Sequence, residues 1–392
     1  MPAGVWLLGV VSLFMDLSSE MIHALLPVFL VSVLGASVAA VGLLEGAAEA
    51  IAAMTKVFSG VLSDRLRKRK LLTVLGYGLA AVTKPVFALA TSTGWVFAAR
   101  AVDRVGKGIR GAPRDALIAD LVPAEGRGAA FGLRQALDTV GAFAGPLLAI
   151  ALMASLGDFR AVFWIAVVPA AVSVLVLVLF VREPAQIGAA EVAAERPTLR
   201  VLLGGLSAEF WWLVTVAALF TFARFSEAFL ILKSSELGLR AAYVPAVLVV
   251  MNLAYALSAY PAGWLSDRMK RWSVFAVGAG LLIGANVVLA FAASLGVAAL
   301  GVVLWGLHMG CTQGLLAALV ADAAAPQQRG KAFGVFNFVT GVALLAASAL
   351  AGVLWDLGGP RFTFLAGAAL TAAAGLVALV LRAARKIDGT TS

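Results

Sequence analysis

Apolar runs of 18 or more residues recur from one end of this 392-residue chain to the other. As a helix, each is long enough to cross a hydrocarbon core about 30 Å thick. Hydrophobic residues make up 62% of the chain and charged residues 13%. A soluble domain of this size has no use for so much apolar surface, because its exterior must face water. Lipid is therefore the expected solvent, and the fold class an all-α integral membrane protein. The single cysteine, Cys311, lies inside one run, which excludes an intrachain disulfide and a cysteine metal site. The net charge of +9 falls in short loops between apolar runs, so no nucleic-acid partner is expected.

Twelve transmembrane spans are predicted, near 5–34, 39–62, 70–91, 94–119, 127–154, 160–181, 209–233, 241–265, 272–293, 296–321, 330–354 and 361–383. Met1–Leu34 lacks a basic leader and carries Asp16 and Glu20, so it reads as a first membrane helix rather than a cleaved signal. The longest interruption gives a six-plus-six division: a bundle over 1–181, a linker over 182–208 and a bundle over 209–392. Loops on one side hold seventeen basic residues, among them Arg65, Arg69, Lys70, Arg182, Arg268, Arg271 and Arg385; the other side holds Arg160, Lys233, Arg240 and Arg361. That bias places both termini and the linker in the cytoplasm of a multi-pass inner-membrane protein.

The two halves are copies of one unit. Gly60-Val61-Leu62-Ser63-Asp64-Arg65-Leu66 returns about 200 residues later as Gly263-Trp264-Leu265-Ser266-Asp267-Arg268-Met269. Ala119-Asp120, Pro123, Arg127-Gly128 and Phe131-Gly132 return at nearly the same offset as Ala321-Asp322, Pro326, Arg329-Gly330 and Phe333-Gly334. A duplicated, almost wholly apolar unit is the mark of a secondary transporter.

Charges within the spans are the candidate site, since each costs at least about 2.5–3.5 kcal/mol at the bilayer centre and asks for a partner or a purpose. Span 1 carries Asp16, Glu20 and His23, with Asp16 and Glu20 one turn apart; span 2 carries Glu45 and Glu49 at the same spacing. Two carboxylates one turn apart in a low dielectric hinder each other's ionisation. A carboxylate that takes up and releases a proton is what proton coupling requires. In span 4, Arg100, Asp103, Arg104, Lys107, Arg110 and Arg114 step by three or four and form one stripe, which must line a cavity or answer the acids of spans 1 and 2. Span 5 adds Arg134 and Asp138, four apart, and span 3 adds Lys84 before Pro85, where the lysine either snorkels or meets an acid. The second half is poorer in charge: Arg224 and Glu227 in span 7, with Ser226-Glu227 echoing Ser19-Glu20, and Asn252 where Glu49 stands in the first copy. Aromatic residues such as Phe225, Trp305 and Phe338 are candidates for a cavity lining.

The chain as a whole resembles the major facilitator superfamily. The family's loop motif between helices 2 and 3 matches Gly60, Asp64, Arg65, Arg69 and Lys70, and its weaker echo matches Gly263, Asp267, Arg268 and Arg271. The resemblance implies a cytoplasmic gate latch in which the motif arginine pairs with an acid at the foot of helix 4, here Asp120. The helix 5 motif of the antiporter branch matches Gly132, Gly141, Gly145 and Pro146, although Leu148-Ala149 replaces its closing glycines. The family's helix 4 pattern Arg-x-x-x-Gly falls on Arg104 and Gly108, with Lys107 where glutamine is usual; in the family that arginine is linked to proton transfer. The resemblance implies two six-helix bundles rocking around a central site.

The leading expectation is therefore a monomeric secondary transporter, without a cofactor, that exports a small organic solute in exchange for protons. A second reading uses Asp16, Glu20 and His23 as ligands for a divalent metal, or the span 4 stripe for a metal chelate or small organic anion, with uptake as the direction. A third is a non-transporting membrane sensor. No Walker loop and no hydrolase motif is present, so an enzyme is not expected.

Overall fold

The computed structural model describes the backbone of residues 1–66, 68–123, 126–183, 205–325 and 328–388, with side chains except at 60–66 and 380–388. The described residues are all-helical in regular structure, with 88% of them in helix. The elements are α1 (Ala3–His23), α2 (Leu26–Ser32), α3 (Val38–Leu66), α4 (Arg69–Leu89), α5 (Thr93–Leu121), α6 (Arg127–Leu156) and α7 (Phe159–Phe180). They continue as α8 (Ala208–Phe222), α9 (Ala228–Glu236), α10 (Ala246–Arg268), α11 (Arg271–Ala290), α12 (Leu295–Ala323) and α13 (Arg329–Asp388). Gly359, at φ 75°, followed by Pro360 breaks α13 into two membrane helices, because only glycine takes that backbone turn without strain.

Nine described stretches are long and apolar enough to cross a membrane. One of them, α13, supplies two crossings. Its charges keep α5 from qualifying by composition, and α8 with α9 makes a crossing in two short pieces. Twelve membrane helices result. Helix starts follow local chemistry: Asp158, Ser207 and Ser294 each turn a side-chain oxygen onto a free N–H of α7, α8 and α12.

Spans 1 and 7 are not continuous helices. The first breaks at Ala24–Leu25, with Pro27 in the first turn of α2, since proline cannot donate to the preceding turn. The seventh breaks over residues 223–227, between α8 and α9. Lys233, expected in an outer loop, is instead buried within α9; helix continues past the break and draws the lysine inside.

The chain forms two compact units. One comprises Met1–Ala36, Ala47–Leu202 and Arg240–Ala246; the other comprises Ser37–Gly46, Leu203–Leu239 and Val247–Ser392. Residues 184–204 of the expected linker lie outside the described residues. In the first unit α1 packs along α6 and α7, and α4 packs against α5 and α7. Its core holds Leu8, Val11, Met15, Tyr77, Leu117, Ile118 and Leu177. In the second unit α11 packs on α12 and α13, around rings of Phe225, Phe229, Trp305 and Phe364.

The repeat seen in sequence is also a repeat of packing. In the first unit a side chain at Gly108 would press on Ala52 of α3 (3.0 Å from its carbonyl oxygen), and one at Gly76 would press on the Gly106 carbonyl of α5 at 2.7 Å. About 200 residues on, Gly310 approaches Ser258 of α10 (Cβ at 2.9 Å) and Gly278 approaches Cys311 of α12 (Cβ at 3.0 Å). The same helix crossings are thus built twice.

Candidate functional site

The charged stripe of α5 lies in the first unit, where α1, α3, α4 and α6 supply its partners. At its centre is a buried ion pair. Lys84 Nζ donates to Asp103 Oδ1 at 2.9 Å, with the two side chains 2% and 5% exposed, and also to Ser19 Oγ at 3.0 Å. Asp103 turns its other oxygen toward Arg104 Nε at 3.7 Å. Arg104 reaches Glu49 Oε1 of α3 at 3.4 Å. Lys84, whose partner the sequence left open, is therefore an anchor that ties α4 to α5 and to α1.

A more accessible layer lies beside this anchor. Asp16 accepts from Arg110 Nη2 at 3.4 Å, and Glu20 contacts His23 Nδ1 at 3.3 Å; both carboxylate side chains are 26% exposed, and Glu49 is 45% exposed. Arg110 also covers the Tyr77 ring, its guanidinium carbon 4.4 Å from the ring centre. Asp16 and Glu20 thus share one face of α1 as their spacing implies, but each has its own basic partner. Arg114 donates to Ser12 Oγ at 2.9 Å and to Asp115 Oδ1 at 3.2 Å. Arg134 pairs with Asp138 within α6 and reaches Asp115 at 3.7 Å. Glu45 is buried, in the part of α3 that groups with the second unit, whereas Glu49 belongs to the first.

Two glycines of the helix 5 motif hold α6 against α1. A Cβ at Gly145 would lie 2.8 Å from Glu20 Cβ and 2.9 Å from the Leu17 carbonyl oxygen; Gly141 meets the Leu13 backbone in the same way. Pro146 is buried beside them. Gly132 faces open space and plays no part in that approach. The glycines therefore fix how closely the wall carrying Asp16 and Glu20 sits on its neighbour.

In the second unit Arg224 lies in the break of span 7 and Glu227 at the start of α9. Their spacing does not bring them together: among the described residues neither makes an ion pair within 4.0 Å. Nor does any group of three or more His, Cys, Asp or Glu among the described residues come together to hold a metal ion. Of the residues suggested as a metal set, Glu20 and His23 contact each other, while Asp16 pairs with Arg110. Phe225 and Trp305 are buried in the aromatic core, while Phe338 is exposed.

At the helix feet, Arg69 pairs with Asp120 and Arg271 pairs with Asp322, each across 51 residues. Asp267 is exposed, and Arg268 stacks on Trp264 at 3.8 Å. Gly263 is exposed as well. The backbone of Gly60, Asp64 and Arg65 forms the end of α3, and their side chains lie outside the described residues.

The model of the Major Facilitator Superfamily matches residues 8–251 and 228–391. The chain belongs to that superfamily. It is 34% identical over 388 residues to an uncharacterized MFS-type transporter of Methanocaldococcus jannaschii, covering 96% of this chain and 94% of that protein. It is 31% identical over 370 residues to an uncharacterized protein of Mycobacterium tuberculosis, covering 90% and 87%. The crystal structure of the nucleoside transporter NupG (D323A mutant) superposes with a TM-score of 0.79 at 13% identity, over 96% of this chain and 99% of that one, a likeness of fold. The protein is thus a multi-pass MFS-type transporter and not an enzyme.

Sequence reasoning missed Tyr77 and Ser12, which join Arg110 and Arg114 to α1 and α4: Ser12 Oγ and Tyr77 OH are 2.9 Å apart. Tyr77 stands about two turns before Lys84 on the same helix, a polar tip among apolar neighbours, and that was the available signal. It also missed Asp356, whose carboxylate accepts from Val38 N at 3.0 Å and Ala39 N at 2.9 Å at the start of α3.

Proposed function

We propose that this MFS transporter works by alternating access as a proton-coupled exporter of a small organic solute. We place it in the cell membrane with both termini cytoplasmic, as a monomer whose six-helix halves are joined by residues 182–208. One observation carries the site assignment. At the positions of the second unit that repeat Lys84, Asp103, Arg104 and Lys107 stand Asn286, Trp305, Gly306 and Met309, yet the same helix crossings form. The crossing forms without them, so the charges of Arg104 and Lys107, which stand beside the Lys84–Asp103 anchor, support a chemical role.

Asp16 is the carboxylate assigned to carry the proton. A single 3.4 Å contact to Arg110 holds it, and the other charges acting on it are Asp138, Lys107 and Arg114. Proton uptake removes the charge that Arg110 answers, and so changes the pairing between α1 and α5 without disturbing the buried Lys84–Asp103 anchor. Glu20 and His23, one turn further along, form a second pair able to exchange a proton. The glycine contacts of α6 on α1 favour export, on the motif resemblance. The paired feet of α4 and α5, and of α11 and α12, suit a latch that holds the cytoplasmic ends together. The test is solute flux in proteoliposomes under an imposed pH gradient, using a solute found by ligand-induced melting. Flux that follows the gradient in the wild type and not in Asp16→Asn supports the assignment; flux indifferent to the gradient rejects it.

A further inference from the structure

The charged patch of the first unit is almost fully matched. Asp103 is held by Lys84, Glu49 by Arg104, Asp16 by Arg110 and Glu20 by His23. Lys107 is the exception: it is exposed, and among the described residues its ammonium has neither a hydrogen bond nor a carboxylate oxygen within 4.0 Å. It continues the α5 stripe one turn after Arg104, and the charges acting on it are Arg104, Glu49, Asp16 and Glu20. An accessible ammonium at membrane depth with no carboxylate in contact is costly. Helix packing does not require it, because the repeated position in the second unit is Met309.

We infer that the solute is a monoanionic organic acid and that Lys107 receives its carboxylate. One ammonium without a partner in contact leaves room for one carboxylate, and a compact cation with three donors on a flexible stem suits an oxyanion that arrives and leaves. The neighbouring acids are each committed to a partner, so they hold the ammonium in place without neutralising it by contact. This inference rests on reading the patch as the solute's path, and it holds for either direction of transport.

The experiment is thermal melting of the purified full-length protein in detergent, titrated with acetate, lactate and benzoate at constant ionic strength. Choline, glucose and sulfate serve as the contrasting probes. At least one monocarboxylate should raise the melting temperature where choline and glucose do not. Lys107→Gln should weaken that binding about tenfold or more while Lys107→Arg largely keeps it, as loss of a charge-assisted hydrogen bond implies. If Lys107→Gln melts lower without ligand, Lys107→Met, copying the second unit, repeats the comparison. Stabilisation by choline or sulfate alone, by no monocarboxylate, or equally in Lys107→Gln and wild type, overturns the inference. The assay uses no proton gradient, so its failure is separable from a failure of proton coupling, which Asp16→Asn reports.

Discussion

Replacing Asp103 by asparagine should destabilise the first unit more than any other single charge removal. It leaves the Lys84 ammonium, 2% exposed, without the carboxylate 2.9 Å away. At an effective dielectric of about 20, Coulomb's law gives 332/(20 × 2.9), or about 6 kcal/mol, for that attraction. Desolvation offsets part of it, and removing one member of a buried pair costs about 3–5 kcal/mol in practice. Ser19 Oγ still accepts from Lys84 at 3.0 Å, so the lower end, about 3 kcal/mol, is expected. The assay is the unfolding free energy of the full-length protein in lipid–detergent micelles. The double variant Lys84→Met with Asp103→Leu should recover to within about 1 kcal/mol of wild type, because apolar replacement of a whole buried pair is often neutral. The second unit builds the same crossing with Asn286 and Trp305. A cost for Asp103→Asn below about 1 kcal/mol, or a double variant as unstable as the single, would refute the anchor.

Gly145→Val should lower the melting temperature by overpacking worth about 1–3 kcal/mol, since its Cβ lies 2.8 Å from that of Glu20; Gly132→Ala, with nothing within 4 Å, is the matched variant expected to melt as wild type. Asp322→Asn removes an exposed pairing with Arg271 and should change unfolding free energy by less than about 1 kcal/mol; its effect, read by solute flux, should fall on transport instead. Glu49→Gln releases Arg104 from its 3.4 Å partner and should alter flux more than melting, because the carboxylate is accessible while the Asp103 contact of Arg104 persists.

Much of this was legible in the sequence, for reasons that the particular residues make plain. Hydrocarbon thickness sets span length, so most of the spans follow from apolar runs, although the charges of α5 keep it from qualifying by composition. The stripe of α5 is legible because 3.6-residue periodicity puts Arg100, Asp103, Arg104 and Lys107 on neighbouring positions. Gly141 and Gly145 were readable as close-approach sites, whereas Gly132, in the same motif, meets nothing; a motif gives spacing and not the direction of a neighbour. The break in span 1 was not legible, because Ala24–Leu25 is as apolar as true helix interior; in span 7 the polar residues Arg224, Ser226 and Glu227 were the available signal. Pairings were the least readable. Lys84 finds Asp103 nineteen positions away, and Asp356 finds the start of α3 across more than three hundred, contacts that only helix packing creates.

The most direct measurement loads proteoliposomes with the solute and a pH-sensitive dye, clamps the membrane potential, and follows lumenal pH as the solute runs out. Wild type should acidify the lumen while Asp16→Asn, carrying the same load, stays flat. A lumen whose pH holds steady during wild-type efflux, or one that acidifies equally without the Asp16 carboxylate, would contradict proton exchange through this patch.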